Sequence, residues 1–181
     1  MTKLAPVPPD LDHFALFGFD QKLGLDSAAL NVAFLRLSRE YHPDRYAIAE
    51  PEVRAVAERN SARVNDAKRV LTDPVRRAEY VLELAGVERP EGEAKCPPDL
   101  LMEVFELREQ LMEDPGPEVV ERVLSLFAEV NTRLDDLFAR HDAATDDPAR
   151  LEALKEIRET LDRRKFLTNL TREVEGTIGK R

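Results

Sequence analysis

"REYHPDRY" (residues 39–46) decides the reading of this chain. Helix-compatible residues run up to Tyr41, then His42, Pro43 and Asp44 stand in a row. Proline disfavours helical geometry in the residue before it, so Pro43 ends the segment on its left. To that left, Asp26 or Ser27 caps a helix reaching Tyr41, with Leu30, Phe34, Leu37 and Tyr41 spaced four, three and four along one face. To the right, a helix starts near Glu50 with Pro51 in its first turn and runs to about Leu71. Its stripe is Val53, Ala57, Asn60, Val64, Ala67 and Leu71, suited to packing against an antiparallel neighbour. On its own the tripeptide reads as a plain helix–helix turn.

The rest of residues 10–86 completes a small helical unit. "DLDHFALFGF" (10–19) suits a short helix ending at Gly18, and "DQKLGL" (20–25) is a loop. Asp73 and Pro74 start a further helix that reaches about Ala85 and closes at Gly86. Residues 1–9 read as a flexible arm and 87–98 as a linker, rich in Pro, Gly and charge without periodicity. Three more helices follow, roughly 99–113, 118–141 and 147–175, with Asp147 before Pro148 as the last start signal. Short loops between them suggest an up-down-up bundle over 99–176, followed by a tail at 177–181.

Charge and composition exclude several classes. The net charge is −9. Residues 1–90 carry 13 basic against 14 acidic side chains, and residues 91–181 carry 14 against 22, so the excess acid lies in the second half. Nucleic acid is not an expected partner, because phosphate contacts need a basic surface. Cys96 is the single cysteine, which leaves no intramolecular disulfide and no cysteine cluster for zinc or iron–sulfur ligation. No apolar run approaches membrane-spanning length, and "MTKLAPVPPD" is too polar for a signal peptide. A soluble, cytoplasmic protein with no membrane partner is expected. His42 and Asp44 lie two apart on a turn with no nucleophile beside them, and two ligands do not make a metal site, so neither an enzyme nor a metal or other cofactor is expected.

"FALFGF", the capped helix, "HPDR" and "VNDAKRVLTDPVRRAEYVL" (64–82), taken together, resemble the J-domain of DnaK co-chaperones. The resemblance implies that the loop and the exposed face of the preceding helix dock on a DnaK-type chaperone and stimulate its ATP hydrolysis. Asp44 would engage a polar network on that ATPase, and His42 and Pro43 would fix the loop's shape. Arg36, Arg39 and Arg45 would supply a positive face, since charge complementarity steers encounter. Arg45 stands where many J-domains have Lys, and Glu40 dilutes the positive face.

The second half refines the expectation. In "LLMEVFELREQLM" (100–112), Leu100, Val104, Leu107 and Leu111 share one narrow stripe, sufficient for a bundle core. Leu101, Met102 and Phe105 point elsewhere, with Glu106 and Glu109 beside them. That second face suits either packing within the molecule or a partner site. In the last helix, Leu151, Leu154, Ile157 and Leu161 form one stripe and Phe166, Leu167, Leu170 and Val174 another. Either the helix kinks near "DRRK" (162–165) or Phe166 faces outward.

"LLMEVFELREQL" with "RKFLTNL" downstream, the long 19–25 loop and "RRAEYVLELAG" (76–86) resemble the HscB family of iron–sulfur cluster co-chaperones over about residues 10–175. That family is all-α and L-shaped, a J-domain followed by a three-helix bundle. The resemblance implies that the bundle binds an IscU-type scaffold, on which clusters are assembled, through Leu101, Met102, Phe105, Glu106, Glu109 and Phe166, and hands it to the specialised chaperone HscA. Phe105 stands where some members have Leu. Some eukaryotic members carry an N-terminal pair of CxxC motifs, absent here, which points to the bacterial form. The alternative is a J-domain co-chaperone whose acidic bundle recognises a different client.

Overall fold

Helix starts in this chain are written as an aspartate cap, a first-position proline, or both. The computed structural model, which describes residues 4–87, 97–113 and 116–178, contains seven α-helices and no strand among them. They are α1 (His13–Phe17), α2 (Ser27–Tyr41), α3 (Pro51–Thr72), α4 (Pro74–Leu84), α5 (Pro98–Glu113), α6 (Pro117–Ala143) and α7 (Asp147–Ile178). A 3₁₀ turn over Pro43–Tyr46 separates α2 from α3. Proline opens four of the seven, at Pro51, Pro74, Pro98 and Pro117, where its missing N–H costs no helical bond. Asp12, Asp26 and Asp73 cap α1, α2 and α4 by accepting backbone N–H bonds. Gly18 and Gly86 close α1 and α4 at φ 81° and 66°, a left-handed geometry that side-chain-bearing residues rarely adopt.

The chain divides into two compact units, Met1–Val81 and Leu82–Arg181. In the first, α2 and α3 form an antiparallel hairpin. Lys68, late in α3, lies over the ring of Phe34 at 5.5 Å and donates to Asn31, early in α2. Phe14, Leu30, Leu37, Val64, Ala67 and Leu71 are buried in its core. The long loop after α1 is held from α4: Arg77, only 7% exposed, donates through Nε to the Leu23 carbonyl at 2.8 Å. Tyr80 stacks on His13 with centroids 4.3 Å apart, and its hydroxyl accepts the His13 N–H.

The expectation of a flexible arm over 1–9 is corrected for residues 5–8. Val7 is buried, its N–H donates to Asn60 Oδ1 at 2.9 Å, and Asn60 Nδ2 donates to the Ala5 carbonyl at 3.0 Å. Arg63 adds bonds to the carbonyls of Val7, Pro8 and Leu11. A buried amide on a core stripe needs partners, and the arm supplies them. Most of the expected linker (88–96, with Cys96), residues 1–3 and the last three tail residues, 179–181, lie outside the described residues. Val87 is half-buried, its N–H bonded to the Leu82 carbonyl at α4's end.

In the second unit, ion pairs fix the helix directions. Asp99 pairs with Arg163 and Arg108 with Glu173, so α5 and α7 run parallel. Arg133 with Glu156, and Asn131 with Arg164, make α6 antiparallel to α7. The result is an up-down-up bundle. Its core joins Leu100, Val104, Leu107 and Leu111 of α5 to Val123 and Leu126 of α6 and Leu167, Leu170 and Val174 of α7.

Helix α7 continues unbroken through 162–165. Its two stripes are one face: Leu154, Ile157 and Leu161 lead through Arg164 to Leu167 and Val174. Arg164 occupies the inward seat, its guanidinium 5.1 Å from the Phe127 ring and its Nε bonded to Asn131 Oδ1 at 2.8 Å. Leu151 is instead exposed, and Ala153 is buried. The N-cap of α7 is Asp146, which accepts the Ala149 N–H at 2.8 Å, one residue before the expected Asp147. The helix runs to Ile178, past the expected end at 175.

Candidate functional site

The first candidate surface is the His-Pro-Asp loop with the outer face of α2. His42 leaves the helix at ψ 125°, and its Nδ1 accepts the Asp44 N–H at 3.3 Å. Asp44 Oδ2 lies 3.6 Å from His42 Nδ1, and the Asp44 side chain is 89% exposed. The carboxylate is therefore open to solvent.

Two further side chains fasten the loop to the end of α2. Arg45 donates to the Arg39 carbonyl at 2.9 Å, and the Tyr46 hydroxyl donates to the Glu40 carbonyl at 3.0 Å. The last carbonyls of a helix have no intrahelical donor, so these contacts satisfy them and place a cation at the negative end of the helix dipole. Arg45 is thus a cap as well as a surface charge.

Arg36, Arg39 and Arg45 line one open depression with Val32, Leu35 and Glu40. Arg36 pairs with Glu40 at 3.7 Å, and among the described residues no carboxylate pairs with Arg39 or Arg45. Val32 and Leu35 are exposed, which the sequence reading missed; their spacing of four to Arg36 and Arg39, one helical turn, was the available signal. Beside this face, burial and then the Glu40 carboxylate raise the Tyr41 phenol above its usual range.

The second candidate surface is the outer face of α5. The four-residue core stripe is buried, while Leu101, Met102 and Phe105 are 52%, 63% and 64% exposed. Met112, at 88%, extends the patch and was missed; it lies seven residues, two turns, beyond Phe105. Successive residues turn by about 100°, so Leu101, Met112, Phe105, Glu109, Met102 and Glu106 span an arc of about 140° opposite the core. Glu106 and Glu109 are exposed, and among the described residues no basic group pairs with them.

Three other charged residues of α5 are engaged. Glu103 bonds Arg122, Arg108 bonds Glu173, and the Arg163 guanidinium beside Asp99 holds its carboxyl below the usual carboxylate range. Phe166 is half-buried and packs on the bundle core rather than standing fully outward. The Asp99–Arg163 pair places it level with Met102, since both lie three residues further along parallel helices. The loop lies in the first unit and the α5 face in the second; Leu101, Met102, Phe105, Glu106 and Glu109 are exposed on one side of α5, and Phe166 lies half-buried against the core.

Comparison with known proteins agrees with both halves. A family model described as the DnaJ domain matches residues 12–80, and one described as the HSCB C-terminal oligomerisation domain matches residues 96–175. The chain is similar to the co-chaperone protein HscB homolog of Vibrio vulnificus strain YJ016, with 33% identity over 166 residues covering 91% of this chain and 95% of that one. It is 40% identical to the corresponding homolog of Bordetella petrii over 126 residues, 69% of this chain and 71% of that one. Among solved structures, chaperone HscB from Vibrio cholerae matches with a TM-score of 0.68 and 29% identity, covering 93% of this chain and 98% of that one. Human co-chaperone HscB shares the fold, with a TM-score of 0.74 and 24% identity over 95% and 84%.

Proposed function

The chain belongs to the HscB co-chaperone family, and from that premise we propose that it recruits an iron–sulfur cluster scaffold protein to a DnaK-type chaperone and stimulates that chaperone's ATPase. The J-domain carries the chaperone contact. His42 and Pro43 set the loop, Asp44 enters the ATPase, and Arg36, Arg39 and Arg45 complement acidic groups on it. The observation that supports this most strongly is the Asp44 carboxylate, exposed on a loop held by three separate hydrogen bonds. A rigid loop loses little entropy on docking.

The bundle carries the scaffold contact. Leu101, Met102, Phe105 and the edge of Phe166 form an apolar centre, and Glu106 and Glu109 form a charged rim, the usual anatomy of a protein interface. Joining both surfaces in one chain raises the scaffold's effective concentration at the chaperone. The protein itself performs no bond chemistry in this reading; hydrolysis happens on its partner, in the cytoplasm.

The test is binding of the scaffold and of the chaperone, measured separately. Alanine at Leu101, Met102 and Phe105 is expected to remove scaffold binding and leave ATPase stimulation by the co-chaperone alone intact. A second reading attaches to the same face, because the matching family model is described as an oligomerisation domain. If the face joins two copies, the same substitutions shift the sedimentation coefficient instead of scaffold affinity.

A further inference from the structure

Unit one exposes few large apolar side chains, and two of them, Val32 and Leu35, lie on the α2 face that leads into the His-Pro-Asp loop. Val32 is 68% and Leu35 53% exposed, and both line the same depression as Arg36, Arg39 and Arg45. Residues three and four apart share a helix face, so Val32, Leu35, Arg36 and Arg39 make one strip. Core packing does not explain the pair, since Leu30 and Leu37 already fill the inward face of α2. A steering surface built only for charge has no use for two exposed aliphatic groups at its centre.

We propose that Val32 and Leu35 are specificity-determining residues for the chaperone partner. They seat against an apolar spot on its ATPase domain, while Arg36, Arg39 and Arg45 around them meet carboxylates bordering that spot. This rests on the chaperone-docking reading given above and adds to it the chemistry of the surface recognised. Continuity with the loop fixes the occupant: a body that receives Asp44 also covers this strip. Charge sets encounter and register, and the desolvated apolar centre sets residence time. A DnaK-type chaperone with charged groups at the facing position is therefore a poor partner.

The test titrates co-chaperone into single-turnover ATP hydrolysis by the organism's own DnaK-type chaperones. It compares the wild type with Val32→Ser/Leu35→Ser, with Leu35→Lys, and with the control Leu124→Gln, an exposed apolar site on α6. The expected result is a roughly tenfold or larger rise in the half-maximal concentration for the double variant, from loss of two buried aliphatic groups at the interface. Maximal stimulation, scaffold binding and the melting curve stay unchanged, and the control behaves as wild type. Leu35→Lys is expected to weaken the preferred chaperone most and so narrow its margin over others.

An unchanged half-maximal concentration in the double variant overturns the inference while leaving the docking reading intact. So does a shift in oligomeric state with unchanged stimulation, which assigns the strip to self-association. A wild type that stimulates none of the chaperones overturns the docking reading, and this inference with it.

Discussion

Asn60 and Val7 are joined by a buried hydrogen bond of 2.9 Å across 53 residues of sequence. The Asn60 amide, 2% exposed in the middle of α3, also donates to the Ala5 carbonyl. Replacing it with alanine leaves a buried N–H and a carbonyl without partners, each costing about 1–3 kcal/mol unless the arm detaches and is hydrated. Asn60→Ala is expected to destabilise the first unit by about 2 kcal/mol and to expose the arm to protease. Urea unfolding and limited proteolysis check both; a melting curve and cleavage pattern like those of wild type contradict the arm's structural role.

Glu156 clamps the bundle by bonding both Arg133 and Arg140 of α6. The Arg140 hydrogen bond, reinforced by its charge and that of Arg133, holds the Glu156 carboxyl below the usual carboxylate range. A folded-state pKa below the unfolded one contributes stability above the unfolded pKa, lost as pH falls through the folded one. Asp99, held down by Arg163, has the same sign. Glu156→Gln is therefore expected to melt below wild type near neutral pH, with the two curves converging on acidification. Circular dichroism melts across the acid range read this, and a constant gap at all pH values contradicts it.

The exposed face of α5 is expected to behave as one cooperative contact. Alanine at Leu101, Met102 and Phe105 together removes a central apolar cluster and is expected to weaken scaffold binding by several kcal/mol, a factor of at least about a hundred. Met112→Ser is expected to weaken it less, since it lies two turns away. Calorimetric titration with the scaffold measures both. The bundle's melting temperature is expected to hold, because these side chains lie outside its core.

Much of this was readable from residue order, for identifiable reasons. Helix starts carried an aspartate cap, a first-position proline or both, so α2, α3 and α4 fell where Asp26, Pro51 and Asp73–Pro74 put them. The two faces of α5 separated because each had its own periodicity, and the inward one is the buried one. The α7 misreading came from Arg164. An arginine in a core-facing seat breaks an apolar stripe, although its aliphatic stem and stacking on Phe127 let it pack there.

Other features depended on long-range partners. Asn60 announced only a polar residue on an apolar face, and nothing local said that residues 5–8 would satisfy it. Nothing local marks Arg77 as buried; the Leu23 carbonyl, 54 residues away in sequence, accepts from its Nε. At α7's start two adjacent aspartates offered the same cap, and loop geometry chose Asp146. Val32 and Leu35 stand among the arginines of the same face, whose charge dominates its sequence pattern.

The central claim is that the His42–Asp44 loop works on a chaperone and is more than a turn. Its most direct test is single-turnover ATP hydrolysis by the organism's DnaK-type chaperone, with wild-type protein and with His42→Gln, each with and without the scaffold. The expected result is acceleration by the wild type, further acceleration with scaffold, and neither with His42→Gln, whose melting curve matches wild type. Equal stimulation by wild type and His42→Gln contradicts the claim and reduces "HPD" here to the connection between α2 and α3.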